Sequence, residues 1–220
     1  MKNISIALDG PSGSGKSTVA KFLSEKLNIL YLDTGAMYRA CAVKALKLGI
    51  DTLDEKKVKT FIDDIDIEIK YENGMQRTFL DGEDVSEKIR EPQVSMAASN
   101  ISSLKCVRLK MVDMQRKIAE KMSCVLDGRD IGSFVLPDAD YKFYITASVD
   151  VRANSRYAEL KEKGHTVDYE NLKKEIEERD YNDSHRDFAP LTRAADAVSI
   201  DTSDLSIDEV VNKVYSYIKR

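Results

Sequence analysis

The run Gly10-Pro11-Ser12-Gly13-Ser14-Gly15-Lys16-Ser17-Thr18 has the spacing of a Walker A phosphate-binding loop. Each residue type has a task in that chemistry. Glycines let backbone N–H groups close around phosphate oxygens, Lys16 reaches the β and γ phosphates, and the Ser17 hydroxyl suits Mg²⁺. Lys16 is expected at the surface of the loop, and the helix that follows points its positive end at the phosphates. Four further polar clusters could serve a second substrate: Asp33 to Arg39 (DTGAMYR), Asp127 to Gly132 (DGRDIG), the pair Arg152 and Arg156, and Glu178 to Arg186 (ERDYNDSHR). Their arginines are the candidate anion ligands.

Something must bring these clusters together, and the apolar pattern says what. Short apolar runs predict strands at Ile4 to Leu8, Ile29 to Leu32, Cys124 to Leu126, Tyr141 to Thr146 and Ala197 to Ile200, separated mostly by helical stretches. That alternation predicts an α/β fold, a five-stranded parallel sheet flanked by helices. In such a sheet ligands gather beyond the carboxyl ends of the strands, where the polar clusters fall. Helices are expected from Lys16 to Leu27, with Val19, Ala20, Leu23 and Leu27 at helical spacing, from Ala36 to Leu48 with Gly49 as cap, and at Pro92 to Ser102 and Leu104 to Lys121. A last helix, Ser206 to Lys219, carries a capping box of Ser206 and Glu209. Residues 64 to 85 break the pattern. Ile65, Ile67 and Ile69 alternate with charged residues, and Asn73-Gly74 then Asp81-Gly82 mark turns, which predicts a small antiparallel hairpin sheet with Glu83 to Val85 as third strand. A hairpin cannot lie inside a parallel sheet, so residues 64–100 form an insert.

Composition limits the partners. The chain has 220 residues, enough for one large α/β domain spanning 1–220 with a small insert. Lys and Arg total 34 against 38 Asp and Glu, so no global positive field advertises nucleic acid or an anionic membrane. Cys41, Cys106 and Cys124 are odd in number and far apart, and the only histidines are His165 and His185. This argues for reduced thiols packed in the core and against zinc. The opening MKNISIALDG is too short an apolar run for a signal peptide, and no later stretch is long enough to span a membrane. A soluble cytoplasmic monomer acting on small molecules is expected.

Together DGPSGSGKST, DTGAMYR, DGEDVS, DGRDIG and the ERD…R…APL segment resemble the bacterial cytidylate kinases, in order and over essentially the whole chain. The resemblance implies a P-loop kinase that transfers a phosphoryl group from ATP to CMP or dCMP. It also implies that the 64–100 insert belongs to the CMP-binding region and that residues 152–186 form a helical lid. By position, Thr34, Arg108 and Asp130 would face the cytosine. Tyr38, Arg39, Arg129 and Arg186 would surround its phosphate. Ser99, Arg179 and Asp183 would hold the ribose hydroxyls, and the lid would contribute Arg152 and Arg156. Thr34 stands where serine is often found and keeps the hydroxyl; Ser155 interrupts an arginine-rich stretch, and Asn182 occupies a position that can be arginine.

The chemistry accounts for the scarcity of histidine. A phosphate acceptor is already anionic, so no general base is needed, and catalysis is positioning plus charge neutralisation by Mg²⁺, Lys16, Arg129, Arg186 and the lid arginines. Other readings stand beside these. Each arginine could be a solvated or surface-paired side chain. Asp127 could be a strand-end turn residue or a Walker B-like carboxylate serving Mg²⁺, and Tyr38 could be core filler. A P-loop kinase for a hydroxyl acceptor, shikimate-like or nucleoside, would use Asp33 as base. A nucleotide switch would be expected to carry an NKxD motif, which is not found.

Overall fold

The structure is a computed structural model that describes residues 3–72, 75–162 and 164–218. The Asn73-Gly74 turn, Lys163 within the expected lid, and the expected helix end at Lys219 lie outside the described residues. The chain divides into two compact units, one of residues Met1–Tyr31 and Met122–Arg220, the other of Leu32–Lys121.

A sheet is built of β1 (Ser5–Asp9), β2 (Leu30–Asp33), β6 (Cys124–Gly128), β7 (Tyr141–Thr146) and β8 (Val198–Asp201), of which all but Leu32 and Asp33 of β2 belong to the first unit. Their order is β2-β6-β1-β7-β8, with β1 central and parallel to both β6 and β7, and β8 parallel to β7. Ile6, Ala7, Leu8, Val125 and Leu126 are fully buried. Their near-continuous apolar runs are those of parallel strands covered on both faces. Four of the strands reach at least one residue beyond the expected apolar runs, to Asp9, Asp33, Gly128 and Asp201. Residue type argued for loop there, but backbone pairing continues, with Asp9 opposite both Gly128 and Tyr144.

Helix α1 (Lys16–Leu27) buries Val19, Ala20 and Leu23 in one cluster with β1, β7 and the Val210, Val211 and Val214 face of α8 (Ile207–Ile218). The capping box of α8 is formed: Ser206 N–H and Oγ donate to Glu209 Oε2 at 2.8 and 2.7 Å. Helices α6 (Val149–Glu162) and α7 (Tyr169–His185) pack through a small cluster of Ala153, Leu172 and Ile176.

In the second unit, α2 (Thr34–Lys47) begins two residues before the expected Ala36, because Asp33 accepts from Ala36 N–H at 3.0 Å and caps it. Gly49, at φ 65, ends it in the left-handed conformation. Helix α3 (Glu55–Ile62) was not legible as a separate element. Asp54 caps it by accepting from Lys57 N–H at 3.1 Å, and Val58, Phe61 and Ile62 face inward. Strands β3 (Ile67–Glu72), β4 (Met75–Leu80) and β5 (Glu83–Asp84) form the expected antiparallel sheet, with Ile67 opposite Leu80 and Leu80 opposite Glu83. Helices α4 (Pro92–Ile101) and α5 (Lys105–Lys121) follow.

Candidate active site

The phosphate loop leaves β1 at Asp9, and its first glycine is fixed by contact. Gly10 has φ 150, and a Cβ there would lie 1.9 Å from the Ile145 carbonyl oxygen of β7. No other residue fits without moving the sheet. Gly15, at φ 82, is the N-cap of α1 and makes no side-chain cap bond, so the first N–H groups of the helix face the loop without a competing side chain.

Lys16 is not at the surface as expected; it is 6% exposed. The loop wraps over its stem, and its Nζ donates to the Pro11 carbonyl at 2.9 Å. Burial, and then the nearby Arg129, lower its pKa from 10.5 to about 7, against the opposing pull of Asp127. Ser17 Oγ donates to Asp127 Oδ2 at 2.5 Å, and the Tyr31 hydroxyl donates to Asp127 Oδ1 at 3.2 Å. Asp127 lies within β6, 3% exposed, rather than in a turn. A hydroxyl and a buried carboxylate in contact at the foot of the loop are the hard oxygen donors that Mg²⁺ takes.

Beside the lysine lies a network of charges. Arg129 Nε donates to Asp183 Oδ2 at 2.8 Å, Arg186 Nη1 lies 3.9 Å from Asp183 Oδ1, and Arg186 Nη2 lies 3.5 Å from Asp130 Oδ1. Arg186 is also oriented by its Nε bond to the Ala189 carbonyl at 2.7 Å. Burial alone would raise the pKa of Asp183, but Arg129, Arg179 and Arg186 outweigh it and hold the carboxyl below its ordinary value. Thus Lys16, Arg129, Arg179 and Arg186 share one electrostatic neighbourhood with Asp127 and Asp183.

The two expected lid arginines differ. Arg152 is 3% exposed, and its guanidinium donates to the Ala147 carbonyl at 3.0 Å, the Ser12 carbonyl of the phosphate loop at 3.1 Å and Asp180 at 2.6 Å. Arg156, one turn on, is paired with Glu159 at 2.6 Å and partly open to solvent.

In the second unit, Arg108 and Tyr38 meet, the guanidinium carbon 5.2 Å from the ring centroid. Arg108 is 1% exposed, and its Nη1 donates to the Ser102 carbonyl at 3.2 Å. Arg39 Nη1 donates to Ser95 Oγ at 2.9 Å and the Ile89 carbonyl at 3.3 Å. Thr34 is buried at the start of α2, and Ser99 is half-buried on α4. Asp33 is held on three sides, capping α2, accepting from Arg90 at 3.0 Å, and joined through its N–H to Gln76 Oε1 at 2.9 Å.

Sequence reasoning passed over Asp9, Tyr31 and Asp180. Each had a modest signal: a carboxylate ending a buried strand, an aromatic hydroxyl in an otherwise apolar strand, and an acid three residues before Asp183. Arg108 was singled out by the resemblance alone; in the structure it lies on the same buried stripe of α5 as Val107, Met111, Val112 and Gln115.

A strand, phosphate loop and helix at the centre of a five-stranded α/β sheet, with a buried lysine, a serine–aspartate pair and clustered arginines, define a P-loop phosphotransferase. The cytidylate kinase family model matches residues 6–220. A cytidylate kinase of Caldicellulosiruptor bescii is 51% identical over 214 residues, covering 97% of this chain and 95% of its own. One of Clostridioides difficile is 50% identical over 218 residues, covering 99% of each. The chain belongs to the cytidylate kinase family. Among solved structures, a shikimate kinase of Acinetobacter baumannii in complex with shikimate shares the fold at 16% identity, with a TM-score of 0.51 over 99% of this chain and 94% of that one. No helix among the described residues is long and apolar enough to cross a membrane.

Proposed function

We propose that this protein transfers the γ-phosphoryl group of ATP to CMP or dCMP, giving ADP and CDP or dCDP. The observation that carries the reading, beside family membership, is the arginine cluster: Arg129 and Arg179 near Lys16, with Arg186 beside Asp183, where the neighbouring carboxylates Asp127 and Asp183 are already engaged by Ser17 and Tyr31 and by Arg129. An anionic acceptor needs charge neutralisation rather than deprotonation, and this cluster supplies it. The hydroxyl-acceptor reading would make Asp33 the base, but its carboxylate caps α2 and pairs with Arg90.

In this reading residues 1–220 act as one nucleoside monophosphate kinase domain. The backbone of Gly10 to Thr18 cradles the ATP phosphates while Lys16 neutralises the transferring group. Ser17 and Asp127 would hold Mg²⁺, which would spread and offset the phosphate charge of ATP. Tyr38, Arg39, Arg129 and Arg186 bind the acceptor phosphate. Ser99, Arg179 and Asp183 bind the ribose, and Thr34, Arg108 and Asp130 bind the cytosine. An ionised Asp130 accepts from the cytosine amino group and Arg108 donates to its N3 and O2, a pattern that uracil inverts. Residues 64–100 serve CMP binding and residues 152–186 the lid. The protein works as a cytoplasmic monomer on small molecules, without nucleic-acid or membrane partners.

The test is coupled ADP release with Mg-ATP against CMP, dCMP, UMP, AMP, GMP and shikimate. Turnover highest with CMP and dCMP is expected. Turnover with shikimate and none with any nucleoside monophosphate refutes the reading.

A further inference from the structure

Strand β6 ends at Gly128, and the chain turns through Arg129 and Asp130 into a single π-helical turn, Ile131–Val135. The first N–H groups of a helical turn have no partner within it and need an outside acceptor. Asp130 occupies the N-cap position, where a carboxylate ordinarily accepts those groups, yet its side chain makes no cap bond. The acceptor is Asp9, at the end of β1. Ile131 N–H donates to Asp9 Oδ1 and Gly132 N–H to Asp9 Oδ2, both at 2.7 Å. The arrangement is tight, since a Cβ on Gly132 would lie 3.3 Å from Asp9 Oδ2. It is also held against a cost: burial, the largest influence, raises the Asp9 pKa to about 6, although both amide bonds pull it down.

We propose that Asp9 is a positioning residue for the acceptor nucleotide. By capping the turn from a neighbouring strand, it relieves Asp130 of that task and leaves the Asp130 carboxylate beside Arg186, 3.5 Å from Nη2, in place to meet the base. The same two bonds fix the two peptides that follow Asp130, Asp130–Ile131 and Ile131–Gly132. The proposal rests on the CMP kinase reading above. It adds that base discrimination depends on a side chain that touches neither substrate. The two-oxygen geometry explains the residue type. Asparagine offers one acceptor oxygen and turns an NH₂ toward the second N–H, so it keeps the volume and loses half the cap. Donor binding is touched less directly: among the described residues the Asp9 side chain bonds to Ile131 and Gly132, and it reaches Lys16 through charge alone.

The experiment compares wild type, Asp9→Asn and Val210→Ala, the last a core truncation on α8 that lowers stability away from the site. Steady-state kinetics with CMP and UMP, and amide hydrogen exchange at Ile131 and Gly132, are measured for each. Asp9→Asn is expected to raise KM for CMP and to narrow the CMP-to-UMP ratio of kcat/KM, each by about tenfold, roughly the loss of one hydrogen bond to a charged group. KM for ATP should stay within about twofold of wild type, by the same scale of effect. Exchange at the two amides should quicken in Asp9→Asn and not in Val210→Ala. Should Asp9→Asn fail to fold, Asp9→Ser, smaller and neutral with one acceptor, is expected to give the same pattern. An unchanged CMP-to-UMP ratio in a folded Asp9 variant overturns the proposal, as does equal narrowing in Val210→Ala. Unaltered exchange at the two amides in a folded Asp9 variant removes the cap and overturns the proposal too, whereas wild type that turns over no CMP overturns the functional reading itself.

Discussion

Replacing Lys16 by methionine should make the protein more stable and nearly inactive. The lysine sits 6% exposed beside Arg129, and its pKa falls from 10.5 to about 7. At about 1.36 kcal/mol per pK unit, that fall sets an upper bound of ~5 kcal/mol on the cost of keeping the charge in the folded chain. Against this, methionine abandons the bond to the Pro11 carbonyl, about 1–3 kcal/mol if that oxygen is left unsatisfied. The net expectation is a gain near pH 7 of at most ~2–4 kcal/mol, measured by urea denaturation without nucleotide. The sign of the pH dependence follows. Between pH 7 and 10.5 the unfolded chain holds a proton that the native lysine has released, so wild-type stability falls as the pH drops through this window and levels off below about 7. Methionine carries no such proton, so the advantage of the variant should shrink from pH 7 toward pH 9.5. Turnover should drop ~100- to 1000-fold, the effect of losing one preorganised charge in phosphoryl transfer. ATP binding at pH 8 should draw a proton into wild type and not into Lys16→Met, read from calorimetry in buffers of different ionisation heat. A variant less stable than wild type at pH 7, or a stability difference that does not change with pH, would refute the argument.

The lid arginines should separate. Arg152→Ala breaks a buried pair with Asp180 and should cost ~3–5 kcal/mol in a urea melt, whereas Arg156→Ala should stay within ~1 kcal/mol and show its effect in kcat. Equal losses of stability would refute the distinction. Gln115 is fully buried on α5, with neither amide atom hydrogen-bonded among the described residues. Gln115→Met should therefore raise stability by ~1–2 kcal/mol, and a lowered Tm would show that the amide has a partner in solution.

How much was legible beforehand depended on whether a residue's role was local. The phosphate loop, α1, the hairpin sheet and the capping box of α8 follow from short-range rules, and the structure has them within a residue or two. Strand ends were less legible because Asp9 and Asp201 are poor strand formers held by pairing that residue type does not report. Lys16 was expected at the surface because lysines usually are; its burial comes from a loop path that glycine torsions decide. Asp9 and Asp180 were passed over for a different reason. Their partners, Ile131 with Gly132 and Arg152, are far away in sequence or on another helix.

The strand order has a consequence for biosynthesis. The first two strands made, β1 and β2, are not neighbours; β6 lies between them in the sheet, and β1 pairs only with strands that begin at Cys124 and Tyr141. The unit Leu32–Lys121, by contrast, is one continuous stretch of chain. On a ribosome it can close its own contacts while the segment carrying the phosphate loop still has no sheet to join. Refolding under pulsed amide labelling should accordingly protect α2 and the β3–β4 pair before Ile6 to Leu8, and simultaneous protection would contradict this order. A nascent chain stalled short of Cys124 would then display a glycine-rich nucleotide loop before either of the strands that flank β1 had been made.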